Sequence, residues 1–131
     1  MSENLSSVVT IFKALSDETR IRILHLLART GEALCVCELT DALEVPQYNI
    51  SRHLKVMVQA GLLDRQKIGR WVYFRLPQSA TLFLDFVLQA LTSLDTERTR
   101  RDLVELKKRL HLRTNGRCTI GIQKNHLIGK K

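Results

Sequence analysis

The sequence predicts a mainly α-helical fold that carries one small β-hairpin. Three observations predict it. Apolar residues recur at helical spacing through most of the 131-residue chain. One stretch, Trp71–Leu76, switches to alternation with a period of two, and Pro77 closes it. Midway, Pro46 interrupts the chain with a tight turn between two helical segments.

Taken in order, Leu5, Val8, Val9, Phe12 and Leu15 repeat at helical spacing and give a first helix over about residues 4–15. Ser16 is the expected N-cap of the second, with Asp17 and Glu18 suited to the positive end of its dipole. Ile21, Leu24, Leu27 and Ala28 line one face of that helix, which stops near Gly31. A short helix over about 36–44 and a longer one over about 47–60 flank Pro46. Ile50, Leu54, Met57 and Val58 form the buried stripe of the longer one, and Gly61 ends it. In the alternating stretch, Val72, Phe74 and Leu76 face one side and Trp71, Tyr73 and Arg75 the other. Leu63–Lys67 is the partner strand, with the turn at Ile68-Gly69. Leu82–Leu94 is apolar almost all round, more than a surface helix needs. That surplus is met either by a second subunit or by a central place in the monomer core. A last helical stretch holds Leu103, Leu106 and Leu110. This order of elements is that of a winged helix-turn-helix with helical flanks. Residues 1–110 are expected to form one DNA-binding and dimerisation domain, a homodimer through its terminal helices. Residues 111–131 are expected to be a basic, flexible C-terminal tail.

Formal net charge is +8. Residues 1–44 carry four basic and seven acidic groups, 45–76 six and one, 77–110 six and five, and 111–131 five and none. A basic segment beside an acidic one fits a polyanion-binding face, although charge alone more often means a solvated surface. Met1–Thr10 lacks a basic start followed by an apolar stretch, and no apolar run nears the ~18–20 residues of a membrane span. The expectation is a cytoplasmic protein with no membrane contact. Three cysteines there do not read as a disulfide framework, which leaves metal binding, redox sensing or burial. No nucleophile–base pair, Gly-rich phosphate loop or His-rich catalytic motif stands out, so an enzyme is not expected.

In a helix-turn-helix the second helix enters the major groove, and its N-terminal residues reach base edges. Here Gln47, Tyr48, Asn49, Ser51, Arg52 and Lys55 fall outside the stripe set by Ile50 and Leu54. Gln and Asn pair bidentately with adenine and Arg with guanine, whereas Ser and Lys more often hold phosphate. Each alone is ordinarily a solvated side chain. Their gathering at one helix start, after a turn in a basic segment, points to double-stranded operator DNA. Lys67 and Arg70 flank the hairpin turn, where a wing meets the minor groove or backbone, or where charges merely face water. His53 serves packing or a phosphate; Trp71 and Tyr73 are expected to pack against the helices.

The stretches "ALSDETRIRILHLL", "EALCVCELTDAL" and "ISRHLKVMVQAGLLDRQKIGRWVYFRL" resemble the ArsR/SmtB family of metal-sensing bacterial repressors, its arsenic-responsive branch in particular, over about residues 10–76. The resemblance implies a dimeric winged helix, repressor activity and metal-released DNA binding. The implied inducer is arsenite or antimonite, with no resident cofactor.

Cys35 and Cys37 match the family's cysteine motif. Thiolates favour soft ions, and family members hold trivalent arsenic through three sulfurs. In a regular helix, side chains two apart point nearly oppositely, about 200° around the axis. A shared ion would then require the helix start to distort or unwind, biasing the DNA-reading helix. Some arsenic sensors carry a third cysteine three residues after the second, where this chain has Thr40. Cys118, in the tail "NGRCTIG", is then either a third ligand, from its own or the partner subunit, or an idle thiol. The zinc-sensing branch uses His and carboxylate ligands on its last long helix; residues 79–94 hold no histidine and one aspartate, Asp85. Cadmium or lead at Cys35 and Cys37, and a thiol redox switch, stand as the alternatives.

Overall fold

The computed structural model describes residues 4–128. The Asn4 side chain accepts the Ser7 amide and so caps α1 (Leu5–Leu15), which gives way at Ser16 to α2 (Glu18–Thr30). The N-cap of α2 is Asp17 rather than Ser16. The Asp17 carboxylate accepts the Arg20 amide, while the Ser16 hydroxyl turns back onto the Phe12 carbonyl. A carboxylate also suits the helix dipole better than a hydroxyl does. β1 (Leu34–Cys35), α3 (Val36–Leu43) and α4 (Gln47–Gln59) follow, then β2 (Asp64–Ile68) and β3 (Trp71–Arg75), and finally α5 (Leu82–Thr92) and α6 (Glu97–Leu110).

The hairpin turn falls at Gly69-Arg70, one residue later than the sequence predicts. Ile68 pairs with Trp71 across a two-residue loop, and Gly69 supplies the positive φ (+62°) that such a loop needs. β1 is a strand that periodicity does not announce, because two residues are too few to alternate. It pairs antiparallel with β3, Leu34 against Phe74 and Cys35 against Tyr73, giving a sheet ordered β1-β3-β2. The wing is thereby stitched to the root of α3.

Leu24 and Leu27 of α2, Leu39 and Leu43 of α3, and Ile50, Leu54 and Met57 of α4 share one core, reached by Leu84 and Leu88 of α5 and Leu106 of α6. Arg22 locks the helices around it, forking onto Asp102 of α6 at 2.8 and 2.9 Å and donating to the Leu43 carbonyl. α5 is only half internal: Leu82 and Phe86 are 71% and 62% exposed, and α1 leaves Leu5, Val9 and Phe12 open as well. The Phe12 and Phe83 rings meet edge-on at 5.7 Å and join the two helices into one uncovered apolar face.

The largest departure from the sequence expectation concerns the tail. Residues 111–128 do not hang free; they fold back across α3. Asp41 and Glu38 of α3, both buried, supply the anchorage. Asp41 accepts from Arg109 Nε at 2.7 Å and from the Gln123 and Lys124 amides. Glu38 receives the fork of Arg113 at 2.7 and 2.8 Å. Buried carboxylates demand such partners; Arg109 of α6 and Arg113 of the tail supply the charge, and two tail amides the remaining donors. Among the described residues, this segment belongs to the same packed body as the rest.

His25 of α2 is fully buried, and neither ring nitrogen makes a hydrogen bond of good geometry. Burial lowers its pKa below the ordinary 6.5, and the Arg29 charge lowers it further. Burial lowers that of His53 as well. The folded chain therefore takes up protons less readily than the unfolded one, so stability is full above pH ~6.5 and declines as pH falls through that value. Urea midpoints between pH 8 and pH 5 are expected to drop on the acid side, with a shallower drop in His25→Leu.

Candidate metal centre

Three thiols meet where β1, β3, α3 and the returning tail converge. The Sγ atoms of Cys35, Cys37 and Cys118 lie within 4.8 Å of one another, and all three residues are buried. Cys37 and Cys118 approach to 3.3 Å. Cys35 is the N-cap of α3 and holds an extended backbone (φ −86°, ψ 162°), whereas Cys37 sits in the first turn. The angular obstacle expected of a regular helix therefore does not arise. The bend at the cap turns both sulfurs to one side with α3 intact, and no unwinding is needed. The Cys35 amide, left over at the helix start, donates to Glu38 Oε1 at 3.0 Å.

Cys118 is held as firmly as the other two. Its amide donates to Tyr73 Oη at 2.9 Å, so Tyr73 contacts the tail as well as its own sheet. Tyr73, Trp71, Ile68 and Ile122 pack around the sulfurs. Beside the trio lies a cavity of about 400 Å³ bordered by Cys35, Cys37, Gln47, Trp71, Val72 and Ile122. Thr40, standing where the third cysteine of the related pattern would be, is buried with its hydroxyl unpartnered. Cys118, rather than a residue at position 40, brings the third sulfur beside Cys35 and Cys37.

The thiols are electrostatically unequal. Hydrogen bonding from Cys35, then from Cys118, with the Arg109 charge nearby, draws Cys37 down to about 6. The same hydrogen bond pushes Cys35 upward, and burial raises Cys118 to about 11. Of the three thiols, Cys37 is the one whose ionised form the surroundings favour. This donor set fits a soft ion. Metal–sulfur bonds of about 2.3 Å would place three sulfurs about 3.4–4.0 Å apart; Cys37 and Cys118 already stand at 3.3 Å, and no pair lies beyond 4.8 Å.

The other residues singled out from sequence lie on α4 and the wing. Tyr48, Ser51, Arg52 and Lys55 are exposed on the outer face of α4, with Gln47 and Asn49 half-buried beside them. Arg52 Nη2 lies 3.5 Å from Asn49 Oδ1. Lys67 and Arg70 are exposed on the hairpin, and the Arg70 guanidinium stacks 5.2 Å from the Trp71 ring centre. His53 packs inward, 3.3 Å from Arg20 Nη1. Periodicity does not single out Arg65, which shares a groove with Ser51 and Lys55 between α4 and the wing. Its pairing with Phe74 across the sheet puts it on the face turned toward α4. Nor does it single out Arg109 and Arg113, whose signal is the pair of acids, Glu38 and Asp41, on an otherwise apolar short helix.

Fold and site together define a winged helix-turn-helix regulator with a buried three-thiol pocket at the root of its wing. Residues 17–65 match the profile described as "Bacterial regulatory protein, arsR family". The chain is 44% identical over 96 residues to the arsenic resistance transcriptional regulator ArsR1 of Pseudomonas putida, covering 73% of this chain and 74% of that one. It is 50% identical over 68 residues to the arsenical resistance operon repressor of Escherichia coli, spanning 52% of this chain and 57% of that one. Among solved structures, HlyU from Vibrio cholerae superposes with a TM-score of 0.59 at 28% identity, over 70% of this chain and 94% of that one. The chain belongs to the arsR family of bacterial regulatory proteins.

Proposed function

We propose that this chain is a cytoplasmic homodimeric repressor that binds operator DNA and releases it when Cys35, Cys37 and Cys118 of one subunit take up trivalent arsenic or antimony. The observation that carries this reading is the three-thiol cluster, drawn from a helix cap, a helix turn and the tail of the same chain. The names of its relatives, arsenic and arsenical resistance regulators, support the same inducer. The uncovered apolar face of α1 and α5 supports a dimer, because a patch holding Leu5, Leu82 and Phe86 calls for a partner surface.

Arsenous acid exchanges its three hydroxyls for three thiols. The Cys37 thiolate attacks first; the hydroxyls leave as water, using the protons of Cys35 and Cys118 and one from solvent. Closing of the sulfurs then pulls on two elements at once. Cys35 is paired to Tyr73 in the wing, and Cys37 lies in the first turn of the helix that seats α4. Both DNA-contacting elements shift relative to the dimer, and the operator-competent arrangement loses population.

Gln47, Tyr48, Asn49, Ser51, Arg52 and Lys55 would face the major groove, and Lys67 and Arg70 the backbone or minor groove. Anisotropy titrations with a labelled operator duplex test this. Arg52→Ala should weaken binding by about 1–3 kcal/mol and relax sequence preference, whereas Lys67→Ala should lower affinity across all sequences and reduce the salt slope by about one. Unchanged affinity in Arg52→Ala would remove α4 from the groove.

A further inference from the structure

We propose that Cys37 and Cys118 form a second, oxidant-driven switch: a hydroperoxide converts them to a disulfide that straps the tail to α3 and closes the thiol site to metalloids. The sulfurs stand 3.3 Å apart with both cysteines free, so a bond of about 2.0 Å needs only a small approach. Their accessibility is asymmetric in the way such a pair requires. Cys37 borders the cavity beside the wing, through which a small peroxide can enter, whereas Cys118 does not border it and lies 2% exposed beneath the tail. Cys37 is therefore the sulfur that meets oxidant, and Cys118 the one that resolves it.

The chemistry balances without a further reagent. The Cys37 sulfur attacks the outer oxygen of the peroxide; the O–O bond breaks, an S–O bond forms, and the leaving oxygen takes up the proton that the Cys37 thiol gives up and departs as an alcohol or water. The Cys118 sulfur then attacks the Cys37 sulfur and expels hydroxide, which leaves as water with the Cys118 proton. Two thiols give up two electrons, and one peroxide takes them. Thiol–disulfide exchange with a reducing dithiol restores the starting state. Cys35 is left as a single thiol, too few ligands for a tight metalloid site.

The disulfide stands independently of the metalloid reading, and only its blocking effect rests on it. Intact mass and peptide mapping of the full chain after hydrogen peroxide treatment test the bond. The wild type and Cys35→Ser are expected to lose two hydrogens within one chain and to yield a Cys37–Cys118 linked peptide, reversed by dithiothreitol. Cys118→Ser is expected instead to accumulate oxygen on Cys37. A Cys35–Cys37 link, an intermolecular link only, or a chain that stays reduced would overturn the proposal. Arsenite binding measured on the same samples separates the two claims. Loss on oxidation with recovery on reduction supports the block, and absence of binding in the reduced protein counts against the metalloid site alone.

Discussion

Cys35→Ser/Cys37→Ser binds operator DNA with near wild-type affinity and no longer lets go when arsenite is added. Allosteric couplings of about 1–3 kcal/mol are typical, so arsenite should weaken wild-type operator binding by about 5- to 150-fold, and that ratio should fall to about one in the double variant. The side chains proposed to contact DNA lie on α4 and on the wing, where Tyr48, Ser51, Arg52, Lys55, Lys67 and Arg70 are exposed, whereas both cysteines are buried. Both cysteines are buried, so serine introduces hydroxyls into an apolar pocket at about 1–3 kcal/mol if they remain unpaired. Cys35→Ala/Cys37→Ala avoids that cost and should behave identically toward arsenite. Retained release in either folded variant would place the inducer elsewhere.

Asp41→Ala is expected to be the most damaging single substitution to stability. Asp41 and Arg109 are 3% and 4% exposed and meet at 2.7 Å. Removing one partner of such a pair leaves the other charge buried alone and typically costs about 3–5 kcal/mol. The Gln123 and Lys124 amides lose their acceptor as well. Urea unfolding measures the loss. Asp41→Leu/Arg109→Leu should recover a good part of it, because no lone charge remains. The same single variant should free the tail, seen as rapid proteolysis within residues 111–128 and as alkylation of Cys118 in the folded protein. A loss under about 1 kcal/mol with Cys118 still protected would mean that the pair does not hold the tail.

The contrast between Ile50 and Cys118 explains what sequence alone could and could not say. Ile50, Leu54 and Met57 bury because their spacing defines one face of a helix, a local signal that any folded context preserves. The winged helix-turn-helix, the hairpin and the outward set on α4 were legible for that reason. The pairing of Cys35 with Tyr73 was not, since β1 is two residues long and its partner lies 38 residues onward. The flexible tail that the sequence predicts over 111–131 is replaced, over 111–128, by packed chain for a related reason, residues 129–131 lying outside the described residues. Its cohesion comes from Arg109 and Arg113 reaching Asp41 and Glu38 across about 70 residues of chain. The signal existed as charge balance, an acidic N-terminal third against a basic C-terminal end, but balance gives no address. Cys35 and Cys37 were found from their spacing and the family resemblance. Their common orientation depends on one backbone turn at a helix cap, which no periodicity encodes.

The central claim is that one chain gathers three sulfurs around one ion. Arsenic X-ray absorption on the reduced, arsenite-loaded protein tests it most directly. Three sulfur neighbours are expected in the wild type, falling to two sulfurs and one oxygen in Cys118→Ser. Two sulfurs in the wild type, unchanged by that substitution, would contradict it.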